Sequence, residues 1–135
     1  MSPTQRTLAR CRAQGWHAAV VEHWNPWAKI RQDLFGVFDV LAIDPQKTGV
    51  LAIQTTTTAH AADRVRKILD AKITLPWLQA GNRIEVWGWA KRGARGKRKT
   101  WTMTRATIGK YHTERGDEVA FGVSALDDPT AGTPC

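Results

Sequence analysis

The sequence predicts an α/β fold in which a mixed β-sheet is flanked by helices. Two β-branched apolar segments, VFDVLAI (37–43) and VLAIQT (50–55), are separated by a DPQKTG turn, which is typical of a β-hairpin. Residues 59–70 instead place apolar side chains at i, i+4, i+7 and i+8, which is one face of an α-helix. The 135 residues suit one domain, and the order α-β-β-β-α-β-β predicts a mixed sheet with helices packed against it.

The first element predicted along the chain is a helix over residues 3–14. Ser2 can cap it, Pro3 takes the first helical position, and Gln5 completes a capping box. Gly15 suits the position just past the helix.

The remaining segments are predicted from their hydrophobic pattern and from the Asn, Pro and Gly residues that mark turns. Residues 16–24 (WHAAVVEHW) are predicted as a strand, and residues 25–36 as a loop because they open with Asn-Pro and end in Gly. LPWLQAGN is predicted as a short helical turn or loop, and alternating side chains predict strands over 83–91 and 100–108. The pattern fades near residue 112, so we expect a single domain over 1–111 and a partly disordered C-terminal extension over 112–135.

The composition excludes several classes of protein. No run of 18 apolar residues occurs, so no membrane span is expected, and the N-terminus lacks the apolar core of a signal peptide. Cys11 and Cys135 cannot by themselves form a disulfide framework or a zinc site. These features favour an intracellular, cytoplasmic protein.

The charge points to a polyanionic partner, with nucleic acid first on the list. The net charge is +8, and residues 91–99 (KRGARGKRK) hold six basic residues and no acid. A solvated hairpin tip is the alternative for this stretch. Trp24 and Trp27 lie near further basic residues, where they either stack on bases or pack in the core. The predicted nucleic-acid-binding residues are Lys29, Arg31, Lys91, Arg92, Arg95, Lys97, Arg98 and Lys99.

A set of polar residues interrupts the central hairpin. Asp39 lies in an apolar strand, where a lone buried carboxylate is costly unless it is paired or bound to a cation. Gln54 follows on the paired strand nearly opposite Asp39, and Thr56 shares its face. Asp33 lies just upstream, so these side chains are expected to converge. The alternative is an edge strand with a hydrogen-bonded acid.

The segments FDVLAI and GVLAIQTT are followed by the helix AHAADRVRKIL. In this order of elements, the chain resembles the PD-(D/E)XK nuclease superfamily over about residues 3–90. This superfamily includes type II restriction enzymes and archaeal Holliday-junction resolvases. The chain is also similar to small phage-type proteins with DLFG-(F/V)-x-D followed by AIQ-x-T/S. The resemblance implies a restriction-endonuclease-like sheet and a phage or prokaryotic setting.

The resemblance also implies a metal site for Mg²⁺ or Mn²⁺. Asp39 takes the place of the metal-binding aspartate, Gln54 that of the glutamate and Thr56 that of the lysine. Gln54 keeps a carbonyl oxygen but brings no charge, and Thr56 brings no cation. Asp33 and Glu22 are candidates for the missing carboxylates. The candidates for the missing cation are Lys29, Lys67 and Lys91.

The function implied by this resemblance is a DNA-binding, divalent-metal-dependent endonuclease. A structure-specific or branched substrate, and a homodimer that cuts two strands, follow from the same resemblance. The alternative is a catalytically inactive nucleic-acid-binding module on the same fold. An interaction or virion-associated protein with incidental basic charge is the third class.

Overall fold

The computed structural model describes the backbone of residues 1–112 and 119–127 and the side chains of residues 1–109. It has an α/β fold with three α-helices and a mixed sheet, as predicted. A single 3-10 turn, Thr58–His60, precedes the second helix. The elements are α1 Pro3–Ala13, β1 His17–Val20, β2 His23–Asn25, β3 Ile30–Gln32, β4 Val40–Ile43, β5 Leu51–Thr57, α2 Ala61–Asp70, α3 Thr74–Gln79, β6 Arg83–Arg92, β7 Thr100–His112 and β8 Val119–Asp127.

The main sheet has the strand order β1-β4-β5-β6-β7-β8. β5 and β6 are parallel, because α2 and α3 connect them, and the other neighbouring strands are antiparallel. The three-stranded meander expected before the second helix is confirmed as β1-β4-β5. β2 and β3 form a separate two-stranded sheet.

The two faces of the sheet bury different clusters. Ile53 of β5 packs with Trp87 and with Cys11 of α1 on one face. Ala52 packs with Ile68 of α2 and other residues on the opposite face. β5 is therefore buried on both sides, which is why its sequence is almost continuously apolar up to residue 53. The predicted apolar face of α2 is confirmed.

Two predictions before the central hairpin are wrong. The strand predicted over 16–24 is divided between β1 and β2, which belong to different sheets. The loop predicted over 25–36 contains β3, because the Asn-Pro signal is the turn of a β2–β3 hairpin. The side chain of Asn25 accepts hydrogen bonds from the amides of Trp27 and Ala28 at 3.0 and 3.1 Å. Most side chains of this hairpin are exposed, so they leave no alternating apolar pattern.

The sheet continues beyond residue 111. β7 extends to His112 and pairs with β8, whose range lies inside the segment assigned to the C-terminal extension. The disorder predicted for the C-terminal extension concerns above all its last segment, DDPTAGTPC (127–135). Asp127 ends β8, and residues 128–135 lie outside the described residues. Within the described part of the chain, no helix is long and apolar enough to cross a bilayer.

Candidate metal centre

Asp39 and Gln54 are cross-strand neighbours at the end of the sheet where β4 begins. The Asp39 amide donates to the carbonyl of Ile53 at 3.1 Å, which extends the β4–β5 register by one residue. Gln54 Nε2 donates to Asp39 Oδ2 at 2.8 Å, and the Thr55 amide donates to the same oxygen at 3.0 Å. The expected pairing of Asp39 with Gln54 is therefore confirmed.

The DLFGVFD segment explains how Asp33 returns to Asp39. The Leu34 amide donates to the Phe38 carbonyl at 2.9 Å, and the Phe38 amide donates back at 3.0 Å. The chain reverses between them through Phe35 and Gly36, whose φ angles are 53° and 79°. Since Leu34 and Phe38 form a bridge, the residues just outside it, Asp33 and Asp39, lie side by side.

Glu22 is brought in by the strand on the other side of Asp39. The Val21 amide donates to the Asp39 carbonyl at 2.8 Å, so the chain leaves β1 directly beside Asp39. One carboxylate oxygen from each of Glu22, Asp33 and Asp39 lies within 4.8 Å of the others. Three acids from three chain segments thus converge. The sequence predicts this for Asp33 and Asp39 and makes Glu22 a candidate.

The environment of Asp39 opposes its ionisation. Its side chain is buried, and burial raises its pKa to about 8, with further increases from the hydrogen bond and charge of Asp33 and from the charge of Glu22. The hydrogen bond from the Thr55 amide acts in the opposite direction. A cation among these carboxylates relieves both the burial cost and the mutual repulsion.

Gln54 leaves a buried acceptor at this cluster. Its side chain is only 2% exposed, and Oε1 has no hydrogen-bond partner among the described residues. Its Nε2 is held against Asp39, so the orphaned oxygen belongs to the same amide that contacts the acids. A buried polar atom without a partner is uncommon and calls for a ligand, water or ion.

The donor set fits a hard divalent cation. Carboxylate and amide oxygens are the ligands preferred by Mg²⁺ and Mn²⁺, whereas the cluster offers neither sulfur nor imidazole. Glu22, Asp33 and Asp39 can each offer one carboxylate oxygen to such a cation. Gln54 can offer a fourth oxygen only when its amide is rotated, because Nε2 is the atom that faces Asp39.

Arg31 is the cation that the structure brings to the cluster. Its Nη1 donates to Glu22 Oε1 at 2.9 Å, although its guanidinium is largely exposed. From the sequence, Arg31 is predicted only as a nucleic-acid contact. Its contact with Glu22 depends on the β2–β3 pairing, in a segment that the sequence predicts as a loop.

The lysine candidates lie elsewhere. Lys29 is at the exposed tip of the β2–β3 hairpin, and Lys67 is on the exposed side of α2. Lys91 lies over the ring of Trp101 at 5.6 Å, on the face of the sheet that packs against α1. Gln54 is on the opposite face, together with Thr56, which is buried.

The basic stretch lies at the same end of the sheet as the acids. Residues 91–99 are all exposed and include the connection between β6 and β7. Because β5 and β6 are parallel and Gln54 is paired with Val86, β6 runs about 20 Å further before its end at Arg92, at roughly 3.3 Å per residue. A cationic surface therefore projects beyond the acidic cluster.

Comparisons of the chain with protein-family models, with curated proteins and with solved structures each find no match.

Proposed function

We propose that the protein is a divalent-metal-dependent phosphodiesterase that acts on DNA, with a restriction-endonuclease-like fold. The observation that carries the proposal is the convergence of Glu22, Asp33 and Asp39 beside Gln54, whose Nε2 contacts Asp39 and whose buried Oε1 has no partner among the described residues. Three acids that repel one another and one orphaned acceptor are destabilising in a protein that binds nothing there.

The topology supports the resemblance on which the catalytic proposal draws. Without the β2–β3 hairpin, the chain runs from a helix through the meander β1-β4-β5 and a helical crossover to the parallel strand β6. Asp39 precedes the second strand of the meander, and Gln54 lies in the third, as the superfamily pattern of an acid followed by E-x-K requires. The hairpin is then an insertion between the first two strands.

In this proposal the acids hold a cation, and Arg31 beside Glu22 provides positive charge for the phosphate. A bound Mg²⁺ lowers the pKa of a water and stabilises charge on the scissile phosphate. Asp39, Asp33 and Glu22 hold the cation, with Gln54 as the neutral fourth ligand. Arg31 lies next to Glu22 and takes the role of a positive charge that Thr56 cannot supply.

DNA is the proposed polyanion because exposed positive charge lies at the same end of the sheet as the cluster. The exposed segment 91–99 projects from the same end of the sheet, and Lys29 and Arg31 lie on the hairpin adjoining Glu22. Charge of this kind binds the phosphate backbone in a salt-dependent way. A branched substrate and a homodimer stay expectations based on the resemblance.

The proposal is tested by incubating the protein with linear, circular and branched DNA in Mg²⁺ and Mn²⁺. Asp39→Asn keeps the shape of the side chain and removes its charge, so we expect cleavage to fall by about 100-fold or more while DNA binding is retained. Asp63→Asn is the matched control, because Asp63 is an exposed acid on α2. Cleavage unaffected by Asp39→Asn would refute the catalytic proposal.

DNA binding itself is tested separately. Reversing the charges of Arg95, Lys97 and Arg98 to Glu should weaken binding and reduce its salt dependence by about three counterions. If the triple variant binds DNA as tightly as wild type, the basic segment is not the interface.

A catalytically inactive DNA-binding module on the same fold is the second candidate. Thr56 favours it, since no lysine occupies that place and Arg31 is paired with Glu22. In this case wild type binds DNA without cleaving it under any divalent ion. Restoring the superfamily motif with Gln54→Glu and Thr56→Lys would then create cleavage that the wild type lacks.

A further inference from the structure

The β2–β3 hairpin exposes an unusual amount of aromatic surface. Trp27 is 94% exposed and Trp24 is 57% exposed, and Ile30 beside them is also exposed. The hairpin is a separate two-stranded sheet, so these side chains contribute little to the core. Clustered exposed aromatic residues are a common mark of a contact surface.

The tip of the hairpin is fixed before any partner arrives. Asn25 Oδ1 accepts hydrogen bonds from the amides of Trp27 and Ala28, and Lys29 closes the turn with a φ of 53°. A left-handed lysine closing a short loop is an ordinary hairpin solution with a defined shape. Trp27 is therefore presented on a turn of defined backbone shape, which reduces the backbone entropy lost on binding.

The hairpin is also fixed relative to the acidic cluster. Glu22 immediately precedes β2, and Asp33 immediately follows β3. Trp24 is directly opposite Arg31 in the hairpin register, and Arg31 in turn contacts Glu22. A groove of about 260 Å³ lies here, lined by Val20, Glu22, His23, Trp24 and Arg31. Any group held on the tryptophans is thus held at a set distance from the cluster.

We infer that the β2–β3 hairpin is an arm that stacks Trp27 and Trp24 on unpaired bases of a nucleic acid held at the metal centre. The inference rests on the proposed function and names the form of its substrate. Indole rings bind any exposed base face, and Arg31 and Lys29 add positive charge for the adjoining phosphates. Bases inside a duplex have no free face, so the arm selects single-stranded or branched DNA.

The test measures binding by fluorescence anisotropy in EDTA, so that no strand is cut. The probes are a labelled single strand, a fork and a duplex of the same sequence. Trp27→Ala should weaken binding of the single strand and the fork by about 5- to 150-fold, and binding of the duplex by less than about twofold. Trp27→Phe should retain most of the affinity. Ile43→Ala is the control, since Ile43 is an exposed apolar residue on β4 away from the hairpin.

Each other outcome has a definite meaning. If Trp27→Ala weakens binding of the single strand and of the duplex equally, the arm does not select unpaired bases. The same conclusion follows if Trp27→Ala weakens neither, whereas the charge reversal at Arg95, Lys97 and Arg98 weakens both. If Trp27→Ala converts a dimer into a monomer by light scattering without altering DNA binding, the hairpin is an interface between copies and the inference is wrong. If wild type binds none of the probes, the proposed function fails with it.

Discussion

Two neighbouring residues of β5 show how differently this protein treats buried polar groups on the two faces of its sheet. On the α1 face, Thr7 Oγ1 donates to Thr55 Oγ1 at 2.9 Å and accepts from Trp89 Nε1 at 3.0 Å. On the opposite face, Gln54 donates to Asp39 and leaves Oε1 without a partner. The first network is satisfied by the chain itself, and the second is satisfied only if something else binds.

This difference separates a structural network from a candidate site. Thr7, Thr55 and Trp89 carry no charge and hold α1 on the sheet. Asp39 and its neighbours combine charge, burial and a raised pKa, so the ionised form of Asp39 is costly unless a cation neutralises it. The following predictions set one face against the other.

The largest expected effect is on the pH dependence of the cation-free protein. The pKa of Asp39 in the folded state is about 8, above its ordinary value of 3.8, so the folded state holds this proton more tightly. Stability from this group is therefore complete below about pH 4 and is lost as the pH rises towards 8, with a slope of up to about 1.4 kcal/mol per pH unit. Urea unfolding in EDTA at a series of pH values measures this slope.

Substitutions on each face test the source of this slope. Asp39→Asn should reduce the dependence of the unfolding free energy on pH, because the residue can no longer ionise. Thr7→Val should lower the unfolding free energy at every pH without changing its slope against pH. An unchanged slope in Asp39→Asn would mean that another group titrates.

A smaller effect is expected from adding the cation. Mn²⁺ at 100 times its Kd should stabilise wild type by about 2.7 kcal/mol at neutral pH, measured by thermal melting and calorimetry. Gln54→Glu should destabilise the cation-free protein, since it adds a fourth carboxylate to the cluster at a buried position, and should tighten Mn²⁺ binding by about tenfold. If Gln54→Leu binds Mn²⁺ as tightly as wild type, Gln54 is not a ligand.

The smallest effect is expected on the α1 face. Thr7→Val removes the acceptor for Trp89 and the donor to Thr55, and should cost about 1–2 kcal/mol of unfolding free energy. The Kd for Mn²⁺ should be unchanged. A loss of Mn²⁺ binding in Thr7→Val would show that the two faces are coupled through β5.

The central hairpin could be predicted from the sequence because local rules determine it. Apolar segments flanking DPQKTG specified β4 and β5, and residue spacing across that turn placed Asp39 opposite Gln54. The bounds of β4 were less accurate. The predicted strand began at Val37, whereas Val37 and Phe38 belong to the reversal that carries Asp33 back.

The β2–β3 hairpin could not be found by the same rules. Strands are recognised by burial on one face, and Trp24 and Ile30 are exposed, so the pattern resembled a loop. A different signal was present in DLFGVFD, where Gly36 between two short apolar pairs marks a chain reversal with an acid at each end. The Arg31–Glu22 contact depends on the hairpin register and was hidden for the same reason.

The DLFGVFD reversal also bears on the order in which the protein folds. All four proposed ligands lie within residues 22–54, and each is brought to Asp39 by a neighbouring strand or turn of that segment. The loops that must close are short, and short loops lose little chain entropy on closing. β6 joins the sheet only after the chain has passed through α2 and α3, which is a longer-range and slower step. We therefore expect the acids to meet before β6 adds to the sheet, so that a cation bound at that stage would favour the hairpin on which β6 pairs.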